Sequence, residues 1–388
     1  MLNPKIMSAA CLTGLLAALS ALSTADSARA EAARAFEEQP ETGYQVETLA
    51  SGLNFPWCVA FLPDNRLLVT QRSGELRYID SNGVVSAPIS GAPEPYVRSQ
   101  GGLFDVLLAP DFAKTGTLYL SLAAGTPKSN ATQVVRAQLK VMTLENSQVI
   151  FEVNYKKDTP VHYGGRMAWD STGHLLLTTG DGFNFREDAQ DPANQLGKVL
   201  RMTAAGEVPK DGLQSGISAL QNADPYVYSY GHRNPQGLAV DRATGKVYEQ
   251  EHGPRGGDEI NLLTPGNNYG WPMVSHGVDY SGALISPFEE YPGITKPLLH
   301  WTPSIAASGL AVYRGDAFAD WNGDLLAGGL VEKTVRRINI ENDIVVGQTI
   351  LLRELDERIR DVRVGPDGLI YVLTDSPEGK LLRLSPTG

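Results

Sequence analysis

Hydrophobic and polar residues alternate along this chain in a unit that returns six times. An apolar run enters a turn built from Gly, Pro, Asp or Asn, and a second apolar run leaves it. The first runs are Val59–Asp64, Val106–Asp111, Met167–Asp170, Leu238–Asp241, Leu310–Tyr313 and Val362–Asp367. The returns come within a few residues at Leu67–Thr70, Leu118–Ser121, Leu175–Thr178, Val247–Tyr248 and Leu369–Leu373, and later, at Leu325–Ala327, in the copy that starts at Leu310. Short β-rich segments joined by residues that accept tight-turn backbone angles are hairpin chemistry. Such units, recurring roughly every 50–70 residues in an all-β chain, predict propeller blades. The expected fold is all-β, a six-bladed β-propeller, with little helix.

Polar residues stand immediately upstream of the apolar runs: Gln100, then His162 and Arg166, Arg233 and Asn234, Ser304 and Ser308, and Arg358 and Arg360. If each run is the innermost strand of a blade, the loops leading into these strands share one face around the central channel. Residues far apart in sequence then converge on a polar, cationic cup. Two long Gly- and Pro-containing inserts, Gly182–Asp224 and Gly253–Pro297, read as excursions from the active-site face.

The first residues stand apart from the repeat. Lys5 supplies a short basic end, Met7–Leu22 is mostly apolar, and Ala28–Ala30 fits the small-x-small cleavage pattern of a secretory signal. Residues 1–30 are therefore expected to be a signal peptide, 31–43 a flexible polar leader, and 44–388 a single propeller domain. The mature protein is expected to be periplasmic or secreted, with no membrane span after cleavage. Cleavage removes Lys5, Arg29 and Asp26 and so moves the net charge from −11 to −12. That balance argues against nucleic acid or anionic lipid as partner, since either needs a basic surface. Cys11 leaves with the signal, and Cys58, beside Trp57 in an apolar run, reads as a buried small hydrophobe.

Four groups of residues could carry chemistry. His162 is followed one hairpin later by Asp181, and a histidine entering one strand can meet a carboxylate leaving the next. Such a pair makes a general base, because the carboxylate fixes the tautomer and stabilises the imidazolium; the plainer alternative is a histidine satisfying a turn. Arg233 and Asn234 set a planar cation beside an amide, suited to gripping a carboxylate, carbonyl or quinone oxygen, or else form a charged turn. Arg358 and Arg360 point to one side of an extended segment and want a polyanion, unless they pair with acids such as Asp356 and Asp361. Glu251–Glu259, Asn267–Pro272 and Asp279 combine carboxylates with Gly/Pro-exposed carbonyls, the hard oxygen ligands that calcium prefers. Scattered histidines and the lack of a cysteine pair argue against zinc. The sequence shows no nucleophile elbow, phosphate-binding Gly-Lys-Ser loop or dinucleotide fingerprint.

Together these segments resemble the soluble quinoprotein sugar dehydrogenases, the family of soluble glucose dehydrogenase and the periplasmic aldose sugar dehydrogenases. The resemblance runs from about Leu49 to the end and rests chiefly on His232–Gly237, Glu251–Glu259, Asn268–Pro272 and Arg358–Asp361. It implies a six-bladed propeller that binds pyrroloquinoline quinone (PQQ) with calcium and oxidises aldose sugars at C1 to the lactone. By that resemblance His162 is the general base and Asp181 its orienting carboxylate. Gln100 and Arg233 stand beside the substrate and the quinone carbon to which hydride passes. Arg233, Asn234, His252, Arg358 and Arg360 contact PQQ. The carbonyls of Gly253 and Pro254 hold the active-site calcium, and Asp258, Glu259, Tyr269 and Asp279 a second, structural one.

The sequence departs from the family pattern at Val331, where relatives often place a cofactor-reaching lysine; Lys333, Arg336 and Arg337 are the nearby candidates to compensate. His252 matches the aldose branch. The short insert after Trp271 favours a monomer over a dimer. The resemblance implies a small aldose as substrate, and no motif identifies the electron acceptor. Two other function classes fit the sequence less fully: a calcium-dependent propeller lactonase or esterase, and a non-catalytic ligand-binding propeller.

Overall fold

The computed structural model describes residues 39–211 and 222–387. The expected signal peptide lies outside the described residues, as does most of the expected leader.

Six antiparallel sheets are arranged as blades, and each apolar run of the repeat falls on a blade's first strand. These first strands are Pro56–Phe61, Leu103–Leu108, Met167–Trp169, Pro235–Val240, Ala307–Val312 and Ile359–Val364. They neighbour one another in a closed cycle, the sixth touching the first, and so line the centre of the ring. The second strands of five blades, among them Leu67–Gln71, Leu175–Thr179 and Ile370–Thr374, are buried along their whole length. The expected turn chemistry is visible at the tips. The Asp170 carboxylate accepts the N–H groups of Thr172 and His174, Asp241 that of Ala243, and Asp367 that of Leu369, each an Asx-type turn that reverses the chain.

Ring closure uses both ends of the described chain. Tyr44–Leu53 pairs antiparallel with Gly379–Pro386 and becomes the outer strand of the sixth blade, so the N-terminal segment completes the last blade. The end of the expected leader is ordered here: Gln39–Pro40 adds a short parallel strand to the outer edge of blade 5. The Glu41 carboxylate there accepts bonds from Arg337 and Thr349.

The core is divided into six hydrophobic clusters, one in each seam between neighbouring blades. Trp57, Leu68, Phe104 and Leu120 fill the seam of blades 1 and 2, for instance, and Tyr313, Leu351, Val362 and Leu382 that of blades 5 and 6. Cys58 is fully buried, as expected. Arg166 departs from the expected cup. It is buried in the channel wall, 3.1 Å from Asp361 and stacked on Trp57, while Arg363 bridges Asp361 and Asp105 at 2.9 and 3.1 Å. Two arginines and two aspartates thus link blades 1, 2, 3 and 6 below the cup.

The long inserts differ from single excursions, since each contains its blade's third strand, Lys198–Met202 in blade 3 and Asp258–Leu263 in blade 4. The segment after Leu263 leaves from the opposite end of the blade. Asn268 then pairs in parallel with Tyr230, whose strand runs toward the cup, and this carries Trp271 and Tyr280 up to the active-site face.

Candidate active site

The cup holds two adjoining cavities that share His162 and Arg233. One, of about 670 Å³, is lined by Gln100, Asn234, His252 and Gly253; the other, of about 270 Å³, by Asp181, Phe183, Trp271 and Tyr280.

His162 and Asp181 meet across blade 3, with Nδ1 2.6 Å from the carboxylate. The approach is close because Gly180 has no side chain; a Cβ there would lie 2.4 Å from the His162 carbonyl. His162 takes a left-handed backbone, φ 52°, held by the Gln100 side chain, whose oxygen accepts the His162 N–H at 2.8 Å. Asp181 also accepts the Trp271 indole N–H and the Phe183 N–H, each at 2.7 Å. Burial would raise the Asp181 carboxyl, but its ion pair and hydrogen bond with His162, the Arg233 charge and the Phe183 N–H outweigh it and hold the group below the usual carboxylate range. Burial is also the largest influence on the His162 imidazole and pushes it below its ordinary value, with Arg233 and Lys157 adding to the shift against the pull of Asp181. A neutral imidazole whose Nδ1–H is taken by a carboxylate carries its lone pair on Nε2, ready to accept a proton.

Arg233 crosses between the cavities. Its guanidinium donates to the Gly253 carbonyl at 2.7 Å and lies over the Trp271 ring. Glu251 anchors the segment from below, accepting the backbone N–H groups of Arg233 and Asn234 and sitting 3.0 Å from the His232 ring. His232, Glu249 and Glu251 form a buried cluster, which sequence reasoning missed. Both His232 nitrogens and both Glu251 oxygens already have partners, and Asn261 donates to one Glu249 oxygen while the other, buried, has none. Its work is to brace the loop. His252 lines the larger cavity, and desolvation, then the charges of Arg233, His162, Arg360 and Arg358, drive its imidazole well below the ordinary value. The three arginines among these neighbours give the site a positive potential suited to an anion.

Arg358 and Arg360 line a third cavity of about 220 Å³ with Val331 and the aromatic floor of Trp57, Phe104 and Tyr163. Their acidic partner is neither Asp356 nor Asp361, as expected on the paired reading, but Asp375. Arg358 Nε donates to one of its oxygens at 3.0 Å, and Arg360 reaches the other at 3.2 Å. The Lys333, Arg336 and Arg337 side chains pair instead with Asp356, Glu332 and Asp324 respectively, and none of them lines the cavity beside Val331.

Four of the expected calcium ligands, Gly253, Pro254, Glu259 and Tyr269, line one small pocket, and the first two also open onto the larger cavity. Gly253 and Pro254 face the larger cavity, their turn held by Asp258, which accepts the Gly253 N–H at 2.8 Å and the Ser304 hydroxyl at 2.7 Å. Burial raises the Asp258 carboxyl despite these bonds. Glu251 shares the small pocket, where desolvation and the Glu251 charge push the Glu259 carboxyl well above its ordinary value. A divalent cation would relieve that strain, so the donor set suits one. The Tyr269 hydroxyl is committed to the Leu262 carbonyl, leaving its backbone oxygen as the available donor. Asp279 does not join them: it lines the smaller cavity with His162 and Asp181 and bonds Ser281.

Comparison with known proteins identifies the family. The glucose/sorbosone dehydrogenase family profile matches residues 53–383. An aldose sugar dehydrogenase of Escherichia coli is 41% identical over 350 residues, covering 88% of this chain and 92% of its own length. A solved glucose dehydrogenase superposes with a TM-score of 0.84 at 43% identity, over 88% of this chain and all of that one. The PQQ-bound aldose sugar dehydrogenase of Streptomyces coelicolor is 26% identical with a TM-score of 0.73, over 89% and 99% of the two chains. With the propeller, the His162–Asp181 pair and the arginine-lined cup in place, the chain belongs to the glucose/sorbosone dehydrogenase family.

Proposed function

We propose that this protein oxidises aldose sugars at the C1 hydroxyl, with PQQ and calcium as cofactors, after export from the cytoplasm. The observation that carries the reading is the His162–Asp181 pair at the junction of two cavities, beside a third that Arg358 and Arg360 line. PQQ bears carboxylates and a quinone, and when bound with calcium it would supply the electron-pair acceptor.

In this proposal, Arg233, Asn234, His252, Arg358 and Arg360 hold the cofactor, and the carbonyls of Gly253 and Pro254 hold its calcium. The cavities fit that load: the arginines answer the carboxylates, and the volume admits a tricyclic ligand beside a sugar. His162 Nε2 takes the proton of the C1 hydroxyl, and Asp181 stabilises the imidazolium. Trp271 keeps Asp181 from rotating. Gln100 fixes the His162 backbone through its oxygen and keeps its amide donor for the sugar. The Arg233 guanidinium stabilises negative charge growing on the sugar oxygen. Glu259 and the Tyr269 backbone are the favoured donors for a second, structural calcium. Export is supported by the signal-like pattern of residues 1–30.

Reconstitution tests the reading. Apo-protein given PQQ and calcium is expected to reduce a dye when an aldose is added, and to be inactive without PQQ. Sugar oxidation in excess chelator with no bound quinone, or PQQ-independent lactone hydrolysis alone, would overturn it.

A further inference from the structure

Behind the His162–Asp181 pair lies a buried lysine to which the mechanism above gives no role. Lys157 is 3% exposed. Its ammonium donates to the Thr159 carbonyl at 2.7 Å, the Val161 carbonyl at 2.8 Å and the Asn130 side-chain oxygen at 3.2 Å. These three bonds use all its donors, and Nζ sits 3.4 Å from the centre of the Tyr163 ring. Its backbone is paired in both directions with Asn130, on the third strand of blade 2, so the side chain springs from a fixed base.

We propose that Lys157 is a positioning residue for His162, fastening the loop that carries the imidazole and placing a fixed positive charge behind the dyad. The inference rests on the reading of His162 as the base. Two features connect the lysine to both members of the pair. The Val161 carbonyl it holds belongs to the residue before His162, in a stretch where His162, Gly164 and Gly165 all have positive φ. The glycines adopt this conformation freely, but the left-handed backbone of His162 is costly without external ties. On the other side, the lysine stem fills the space left by Gly182, next to Asp181; a Cβ on Gly182 would lie 2.7 Å from the Lys157 Cδ. The Gly182 carbonyl is in turn bound by the Thr159 hydroxyl at 2.6 Å.

The charged groups around His162 are Asp181, Arg233 and Lys157, with Asp158 beside the lysine and Arg186 and Asp279 lining the smaller cavity. Arg233 reaches His162 from the cavity side, whereas Lys157 does so from within the wall and is not displaced by substrate. Burial pushes the lysine down to about 7 against the opposing pull of Asp181 and Asp158, so it still carries its charge throughout the acid range. A cation there disfavours the imidazolium and keeps His162 in its proton-accepting form to lower pH.

Lys198 provides an internal control. It too is fully buried in blade 3, and it donates to the Asp188, Ala189 and Leu196 carbonyls without facing the dyad.

The test follows the His162 titration in the apo-protein by histidine NMR, assigned by the signal lost in His162→Gln. Lys157→Met is expected to raise the midpoint by at least about half a pH unit, the scale of one unit charge lost at an effective dielectric near 20. The acid limb of kcat/KM in the reconstituted enzyme should move the same way. Lys157→Arg should restore the midpoint, and Lys198→Met should lower Tm while leaving it in place. An unmoved midpoint in folded Lys157→Met would overturn the proposal. Should that variant fail to fold, Asn130→Asp neutralises the ammonium where it stands, and an unmoved midpoint there is equally fatal. Full activity in His162→Ala would sink the catalytic reading instead, while the apo titration would still report on Lys157.

Discussion

Replacing Arg360 by Met, beside the matching change at Arg358, separates what these arginines do for the fold from what they do for the cofactor. Both share the Asp375 carboxylate, but their surroundings differ: the Arg360 side chain is 10% exposed and that of Arg358 is 44%. Breaking a buried pair costs about 3–5 kcal/mol when the surviving charge has no other partner. Asp375 keeps Arg358, so the loss for Arg360→Met is about 2–3 kcal/mol. The exposed Arg358 bond is screened by water, and its loss comes to ~0–1 kcal/mol. At about 2.1 cal/mol/K per residue over roughly 350 residues, Arg360→Met should lower the apo Tm by about 3–4 °C, and Arg358→Met by about 1 °C or less.

The difference depends on pH. Burial alone would raise the Asp375 carboxyl, but the two arginines hold it below its ordinary value. A depressed folded-state value contributes stability above the unfolded value near 4, and this is lost as the pH falls through the folded value. The Tm deficit of Arg360→Met should therefore be full at neutral pH and shrink below about pH 4. Cofactor binding gives the second measurement. If both arginines grip PQQ carboxylates, each substitution should weaken PQQ by roughly ten- to a hundred-fold, the scale of one charge-assisted bond. Calorimetric melting of the apo-protein and PQQ titration by tryptophan quenching read the two effects separately. Equal Tm losses in the two variants would refute the burial argument, and unchanged PQQ affinity in both would refute this placement of the cofactor.

Three further outcomes are expected. His162→Ala should reduce kcat roughly 10²–10⁴-fold with PQQ affinity nearly intact, and near-wild-type kcat would remove His162 from the chemistry. Trp271→Phe deletes one of the bonds that orient Asp181, so kcat should fall about ten-fold with the fold preserved, as circular dichroism would show; an unchanged kcat would mean that His162 and Phe183 alone fix the carboxylate. Asp258→Asn should loosen the Gly253–Pro254 turn, costing ~1–3 kcal/mol and raising the calcium concentration needed for reactivation after chelation. Calcium titration checks this, and identical curves would detach Asp258 from the metal site.

The repeat, the hairpin turns and the composition of the cup are legible in the sequence because they are local. A strand's burial is written in its own apolar run, a turn in the Asp that closes it, and the residue entering a blade in its position just upstream. His162 and Asp181 could be paired on paper because one hairpin separates them. What the tertiary structure decided lies between segments that sequence distance does not relate. Trp271 reaches Asp181 from 90 residues away, along a segment that climbs from the opposite end of its blade. Asp375, rather than the nearer Asp356 or Asp361, takes both arginines, because Asp361 is drawn into the channel wall by Arg166 and Arg363. Asp279 departs from Glu259 and Tyr269 for the same kind of reason: its insert folds over the cup instead of along the blade. A buried charge pairs with whatever the closed ring brings within reach. That distance is set by the seams between blades, so it is fixed only once all six have packed.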